Sequence, residues 1–244
     1  MKATPETQKE LLRLQGMDTR LQQLDHAAKT LPEIKAIAAL EAQLSPIRQR
    51  LAVRTGALED ARTELKRIES DVAVVEARIA RDQQRVAATS SMKDVQALEQ
   101  ELASLRKRRS DLEDIELTVM ERVEELEAAH AETVAERDAV DAQIAEAAAA
   151  RDAALARLRA DRDEVAGERS RLSDAFSREL LDLYERQRAR YGIGAALLRG
   201  GVSLASNVRL TGSDLEAVRR AAPDDVVICP DSSAILVRTD ESGL

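Results

Sequence analysis

Apolar residues recur at alternating spacings of three and four along most of the chain. Within residues 4–31 the repeat comprises Leu14, Met17, Leu21, Leu24, Ala28 and Leu31. A longer repeat then runs from Ile37 to Val86, interrupted by the polar residues Arg54 and Asp82. An apolar seam that repeats every 3.5 residues is typical of helices packed in a left-handed coiled coil. The pattern therefore predicts long paired helices.

The seam changes register at the sequence KTLPEI. Thr30 and Glu33 there match a capping box around Pro32, in which two side chains satisfy free amides at a helix start. We therefore expect a kink near residues 30–33, where one helix ends and the next begins. Pro46 falls inside the second helix and is expected to bend it or to lower its stability.

A second arm follows the short sequence ATSS. Ser91 and Asp94 match a helix-start signature, and an apolar seam continues as far as Leu172. Polar residues at seam positions cost stability but fix the register of a coiled coil, and here they are Arg109, Glu116, His130 and Arg137. Because the arms are similar in length, an antiparallel hairpin with its tip near residues 87–92 is favoured. A parallel dimer of one continuous rod is the alternative.

The chain changes character at Gly192. Glycines become frequent, the heptads end, and short apolar runs alternate with turns, which predicts strands. Ser213 and Glu216 match a second capping box, so a short helix is expected to begin there. The fold class is therefore mostly α: residues 1–191 form the coiled-coil hairpin and residues 192–244 a small α+β domain. A domain so short needs a metal, disulfides or a larger surface on which to dock.

The amino-acid composition indicates in which cellular compartment the protein is expected and which classes of partner are disfavoured. The chain has 34% charged and 1% aromatic residues, which is typical of coiled coils, and a net charge of −8, which disfavours binding to polyanions. A single cysteine excludes an intrachain disulfide and suits a reducing compartment. No signal peptide or membrane-spanning run is visible, so a cytoplasmic protein without membrane contact is expected.

The single cysteine belongs to a pattern of paired positions. Ser203 and Ser206 are separated by two residues and follow one predicted strand, and Cys229 and Ser232 have the same spacing after another. Two Cys-x-x-Cys turns at these places would form a Cys₄ zinc ribbon. The spacing is that of a zinc ribbon, but only one of the four positions is a cysteine.

Together these features resemble a family of bacterial coiled-coil hairpin proteins with a C-terminal C4-type zinc ribbon, known as a domain of unknown function. The resemblance spans nearly the whole chain, and its most specific parts are ATSSMKDVQALEQELASLRKRRSDLED, LYERQR, GAALLRGG and CPDSSAILVR. It places the four ligand positions at Ser203, Ser206, Cys229 and Ser232. The family implies zinc, but serine hydroxyls are poor zinc ligands. We therefore expect a degenerate ribbon that binds no metal and no other cofactor.

Without a metal, the small domain must be held by packing. Its expected core residues are Leu204, Val208, Leu210, Leu215, Val218, Val226, Ile228, Ile235 and Val237. Helical residues expected to offer it a docking surface are Phe176, Leu180, Leu183 and Tyr184. Cys229 is then interpreted as a small buried apolar residue. A reactive thiol is the alternative, but no His or basic residue lies close in sequence to lower its pKa.

The sequence bears on three classes of function: an enzyme, a nucleic-acid-binding protein and a protein adaptor. An enzyme is disfavoured because the two histidines, His26 and His130, lie on opposite arms and a two-helix rod offers no pocket. Nucleic-acid binding, the alternative hypothesis, is weakened by the net negative charge of residues 192–244. The basic run Arg106, Lys107, Arg108 and Arg109 forms either a solvated coiled-coil face or a docking patch for a partner.

The favoured hypothesis is a non-catalytic adaptor, scaffold or chaperone-like protein. A long charged hairpin with a small terminal domain offers two separate surfaces for protein partners. The resemblance implies the same role, because members of the family look like adaptors for transcription or secretion machinery. The chain is expected to be a monomer or a weak homodimer.

Overall fold

A computed structural model describes every residue from Met1 to Leu244. The first four elements are the helices α1 (Pro5–Lys29), α2 (Pro32–Ala88), α3 (Met92–Ser173) and α4 (Arg178–Tyr191). The remaining elements are β1 (Ala195–Arg199), β2 (Val202–Ser203), β3 (Val208–Arg209), α5 (Gly212–Arg220), β4 (Val227–Ile228), β5 (Ile235–Val237) and a final 3₁₀ turn (Asp240–Ser242). The predicted fold class, a long antiparallel helical hairpin followed by a small α+β part, is confirmed. None of the helices combines the length and the apolar character needed to cross a membrane.

The chain forms two compact units. The first, which we call the hairpin unit, comprises residues 33–149, and the second, the base unit, combines residues 1–32 with residues 150–244. The predicted domain boundary between residues 191 and 192 marks the change from helices to strands. It stays a prediction.

In the hairpin unit α2 packs against α3 along the predicted seam. Its main buried cluster contains Leu58, Ala61, Ile68, Val119 and Val123. Ion pairs join Arg62 to Glu127 and Arg78 to Glu101, so residues later in α2 meet residues earlier in α3. Such pairing requires antiparallel helices. The chain folds back on itself between Ala88 and Met92, and the continuous rod is not formed.

The polar residues that interrupt the seam of α2 find partners. Arg54 Nη1 donates to the carbonyl of Ala129 and to the hydroxyl of Thr133, which is fully buried on α3. Asp82 is also buried, and Arg85 Nη1 lies 3.0 Å from its Oδ1. The seam residues Arg109, Glu116, His130 and Arg137 are all partly buried. The partly buried Arg54 and the buried Asp82 therefore both have partners, which limits their cost in a coiled-coil interface.

The base unit is built around a five-stranded sheet. The strand order is β3-β2-β1-β5-β4, with β1 and β5 parallel and the other neighbours antiparallel. One face of the sheet packs on helices in a cluster of Leu11, Leu14, Phe176, Leu180, Tyr184, Ala195, Ile235 and Val237. The other face packs on α5 in a cluster of Leu198, Leu210, Val218, Cys229 and Leu236. The alternation of Ile235, Leu236 and Val237 between these clusters is the two-residue period of a strand.

Part of the predicted core of the small domain is wrong. Leu204, Val208 and Ile228 are exposed, whereas the expected helical docking residues Phe176, Leu180 and Tyr184 are buried. Val208 and Ile228 lie in β3 and β4, which are the two edges of the sheet and only two residues long. Edge strands this short leave side chains uncovered, which the alternation of apolar residues alone does not reveal.

The residues predicted to cap two helices do not do so, although α2 and α5 begin within two residues of the predicted positions. Thr30 closes α1, because its hydroxyl donates to the carbonyl of His26 at 2.9 Å instead of capping α2. In α5 the N-cap is Thr211, whose Oγ1 accepts from the amide of Asp214 at 3.3 Å, so Ser213 lies inside the helix. In α5, Thr211 therefore makes the capping bond that was predicted for Ser213. Pro46 lies within α2, which continues through it.

Candidate functional site

The two pairs of predicted ligand positions lie in two turns with the same construction. The amide of Asn207 donates to the carbonyl of Ser203 at 2.8 Å, and the amide of Ser233 donates to the carbonyl of Cys229 at 2.9 Å. Asn207 and Ser233 both have positive φ, 56° and 58°, which is uncommon for residues other than glycine. The repeated geometry indicates that the two turns are equivalent parts of one substructure.

Cys229 is the centre of this substructure. Its side chain is 1% exposed. Burial raises the pKa of the Cys229 thiol, but the hydroxyls of Ser232 and Ser203 and the amides of Ser232 and Asp231 favour the thiolate, and the net pKa lies below its usual value. The sequence prediction considered only basic neighbours. Hydroxyl and amide donors in the turn also lower the pKa of a thiol, but they are uncharged and so do not stand out in the sequence.

The donor set of these turns does not fit zinc. Structural zinc sites use thiolate and imidazole ligands, and of the four positions Cys229 alone supplies one. The other three positions are serines, whose hydroxyl oxygens are neutral and are poor ligands for zinc. Nowhere in the chain do three or more His, Cys, Asp or Glu side chains form a group that would hold a metal ion.

A second polar constellation lies among α1, α3 and α4 in the base unit. Asp18 is 2% exposed, and its carboxylate accepts from Arg169 Nε at 2.9 Å and from the hydroxyl of Tyr184 at 2.7 Å. Arg188 Nε lies 3.5 Å from the same carboxylate, and Glu185 pairs with both arginines. The buried charge is thus compensated by two guanidinium groups and one phenol, as a buried ion needs to be.

This polar cluster continues to the sheet through Gln15. Its Oε1 accepts from the amide of Gly194 at 2.7 Å and lies 3.2 Å from the hydroxyl of Tyr184, whose proton is directed to Asp18. A Cβ on residue 194 would lie 2.5 Å from the Tyr184 ring, so only glycine allows the strand to approach this closely. Gln15 and Tyr184 therefore fix the start of β1 against the helices.

Two side chains, Arg238 and Gln8, each donate hydrogen bonds to more than one backbone carbonyl and so hold the C-terminal segment. Arg238 donates to five backbone carbonyls at the end of α5 and in the turn that follows it: Val218, Ala221, Ala222, Pro223 and Asp225. Gln8 Nε2 donates to the carbonyls of Ala3 and Pro223. These side chains bring the ends of the chain together.

The sequence prediction missed Gln8, Gln15, Asp18 and Arg238. Gln8, Leu11, Gln15 and Asp18 are spaced by three and four residues, so they share the buried face of α1. That spacing could have identified the polar residues on the buried face. The prediction instead followed the apolar seam of Leu14, Leu21 and Leu24 and left the polar residues out. Arg238 had no such signal, because its partners are backbone carbonyls.

The basic run of α3 lies in the hairpin unit. Arg106, Lys107 and Arg108 are exposed and form no ion pair, whereas Arg109 is partly buried and pairs with Glu113 at 3.2 Å. Exposed cations without ion pairs fit both a solvated face and a docking patch, and the choice between them stays a prediction.

Large apolar side chains follow the basic run on the same helix. Leu117 is 60% exposed and Met120 is 41% exposed. They lie 11 and 14 residues after Arg106, which is about three and four helical turns, so the three residues share one face of α3. We call Arg106, Leu117 and Met120 the α3 stripe.

The two histidines do not form part of any of these sites. His26 is exposed on α1 in the base unit, and His130 is partly buried on α3 in the hairpin unit. Neither takes part in the polar cluster around Asp18 or in the turns around Cys229.

Comparison with known proteins gives the same architecture. An uncharacterised protein of Mycobacterium tuberculosis, found in two strains, is 35% identical over 241 residues, which cover 98% of both chains. A solved structure from Mycobacterium smegmatis is 37% identical, with a TM-score of 0.85 over 98% of this chain and 100% of that one.

More distant structures share the fold alone. CT398 from Chlamydia trachomatis is 19% identical with a TM-score of 0.63, over 96% of this chain and 98% of that one. HP0958 from Helicobacter pylori is 12% identical with a TM-score of 0.52, over 97% and 98%. The family model described as the CT398-like coiled coil hairpin domain matches residues 14–192. The chain therefore belongs to the CT398-like coiled-coil hairpin family.

Proposed function

We propose that this chain is a non-catalytic adaptor that binds a protein partner through the hairpin unit. The observation that carries the proposal is the α3 stripe, where a free cation and two exposed apolar side chains share one face of a long helix. Exposed leucine and methionine on one face are typical of surfaces that bind an amphipathic helix.

The other polar sites support a structural role. The charges around Asp18 pair with one another within the base unit, and the turns around Cys229 lack the thiolates for a zinc ribbon. The Asp18 cluster is paired within the protein, and Cys229 is buried. An adaptor needs a rigid base of this kind, because the free energy of binding is then not spent on ordering the protein.

The test is affinity capture of partner proteins by the full chain from its native cells, followed by quantitative mass spectrometry. The variant Leu117→Ser/Met120→Ser removes the apolar part of the α3 stripe. We expect a defined set of proteins to be retained by the wild type and to fall by at least about tenfold with this variant, since each apolar anchor is worth more than 1 kcal/mol at a good interface.

The matched control is Val53→Ser/Val74→Ser, which exchanges two exposed apolar residues of α2 in the same unit. It should retain the same proteins as the wild type. Equal loss with both double variants, or no retained protein at all, would refute the proposal. Captured material that is released by nuclease treatment would support nucleic-acid binding instead.

A further inference from the structure

Two groups of exposed charges of opposite sign lie on α3 without an ion pair. The cations include Arg106 and Lys107, and the carboxylates are those of Glu121, Glu124 and Glu125. The two groups are separated by up to 18 residues, which is about 27 Å along a helix, so they cannot reach each other. Each group can therefore be compensated only by solvent ions or by another molecule.

These charges lie at the two ends of the face that carries the α3 stripe. Glu124 follows Arg106 by 18 residues, which is five full turns, so it lies on the same face of the helix. Glu125 follows Lys107 by the same interval, so these two share the neighbouring face. The order along this side of α3 is therefore cation, exposed apolar side chains, carboxylate.

This order is complementary to itself in an antiparallel pair of α3 helices. In a contact with two-fold symmetry, each residue meets the one that lies equally far beyond the axis. With the axis beside residue 115, Arg106 of each copy faces Glu124 of the other, and Lys107 faces Glu121 and Glu125. The two Leu117 side chains meet close to the axis. Charges at the flanks of paired helices determine their orientation and their choice of partner.

We infer that a second copy of this chain covers the α3 stripe when no other partner is bound, through an antiparallel contact between the two α3 helices. Charge complementarity identifies the occupant, because α3 itself carries carboxylates at the distance from the apolar residues that its cations require. The inference rests on the adaptor role and adds a means of regulation. A partner protein has to displace the second copy before it reaches Leu117 and Met120.

The contact is expected to be weak. Its exposed apolar side chains, Leu117 and Met120, are far fewer than the roughly 20–30 residues that each side of a stable interface contributes. Asp114 is exposed, has no ion pair, and lies one residue from the axis, where it meets its own counterpart. Like charges in such positions oppose association. A weak contact is suited to displacement by a partner.

Sedimentation velocity of the purified full-length protein, at concentrations from about 10 to about 500 µM and in about 50 mM and about 500 mM NaCl, measures the dimer. We expect a dimer that grows with concentration and dissociates at high salt. Arg106→Glu/Lys107→Glu and Glu124→Lys/Glu125→Lys should each weaken it at least about tenfold, because both ends of the symmetric contact become repulsive. An equimolar mixture of these two variants should form a heterodimer, because each carries the charges that the other lacks.

Two further variants act as controls. Arg67→Glu/Arg81→Glu reverses two exposed cations of α2 that have no ion pair, and it should dimerise like the wild type. Asp114→Asn removes the repulsion beside the axis and should strengthen the dimer.

Other outcomes overturn the inference. It fails if the wild type is a monomer at every concentration, if the α2 control loses the dimer to the same extent, or if the mixed variants do not pair. Failure of the adaptor role is seen separately. Capture of proteins that depends on Leu117 and Met120, by a chain that is monomeric when pure, leaves the adaptor role standing and refutes the second copy. A dimer that captures no other protein refutes the adaptor role alone.

Discussion

Asp18 is a carboxylate enclosed by side chains of α1, α3 and α4. An ion removed from water is tolerated only if partners replace its hydration. Arg169, Arg188 and Tyr184 supply that replacement, and the Tyr184 hydroxyl makes the shortest bond, 2.7 Å, with a side chain that is itself fully buried. The stability of the base unit should therefore depend on single polar atoms.

The change Tyr184→Phe removes that hydroxyl and keeps the ring. It leaves the Asp18 carboxylate without one donor, which should lower the free energy of unfolding by about 1–3 kcal/mol. Urea denaturation followed by circular dichroism measures the difference. Tyr191→Phe is the control, because Tyr191 is exposed and is the second of the two tyrosines in the chain. A loss with Tyr184→Phe no larger than the control would show that the hydrogen bond does not contribute.

The dependence of stability on alkaline pH provides a second test of Tyr184. Burial and the hydrogen bond to Asp18 raise the pKa of Tyr184 far above its usual range, whereas an unfolded tyrosine titrates near 10. The folded state therefore holds a proton that the unfolded state releases above pH 10, and stability is lost as pH rises beyond that value. Between about pH 9.5 and 11, unfolding midpoints should fall more steeply in Tyr191→Phe, which keeps Tyr184, than in Tyr184→Phe. Parallel slopes would contradict the assignment.

Between elements, Arg54 joins the two helices of the hairpin unit. It crosses from α2 to the carbonyl of Ala129 and to the hydroxyl of Thr133 on α3. A long side chain directed at one turn of the facing helix favours one register over its neighbours, which a purely apolar seam distinguishes less well.

Arg54→Ala should destabilise the hairpin unit by about 1–3 kcal/mol, since buried polar groups on α3 lose their donor. Arg67→Ala is the matched change on α2, at an exposed arginine without an ion pair, and should stay within about 0.5 kcal/mol of the wild type. Thermal and urea unfolding of both variants provide the measurement. If Arg54→Ala is as stable as Arg67→Ala, the hydrogen bonds of Arg54 do not stabilise the hairpin unit.

The helices could be predicted from the sequence because their signal is repeated many times. The seam from Ile37 to Val86 survives interruptions at Arg54 and Asp82, and the fold-back near Ser91 follows from the matching lengths of the arms. The strands carry far less information: β3 and β4 have two residues each, so nothing distinguished exposed Val208 and Ile228 from buried Ile235. Buried polar residues such as Asp18 were missed, because their partners come from distant parts of the chain.

At the scale of the molecule, the C-terminal segment depends on helices that precede it. Tyr184 and Gln15 fix the start of β1, Val226 donates its amide to the carbonyl of Met1, and Lys2 pairs with Asp224 at 2.9 Å. A segment of about fifty residues normally needs a metal or disulfides to fold alone. We propose that in this protein the helices of the base unit stabilise the segment in place of a metal or disulfides.

If the helices replace the metal, the purified full-length protein should contain no zinc. The variant Ser203→Cys/Ser206→Cys/Ser232→Cys, which restores four thiolates at the two equivalent turns, serves as the positive control and should bind one zinc ion per chain. The decisive measurement is the zinc content of the wild-type protein by mass spectrometry after purification without chelators, together with its melting temperature in EDTA. We expect far less than one zinc per chain and an unchanged melting temperature. A zinc content near one per chain, with unfolding on chelation, would contradict the proposal that the C-terminal segment folds on the helices alone.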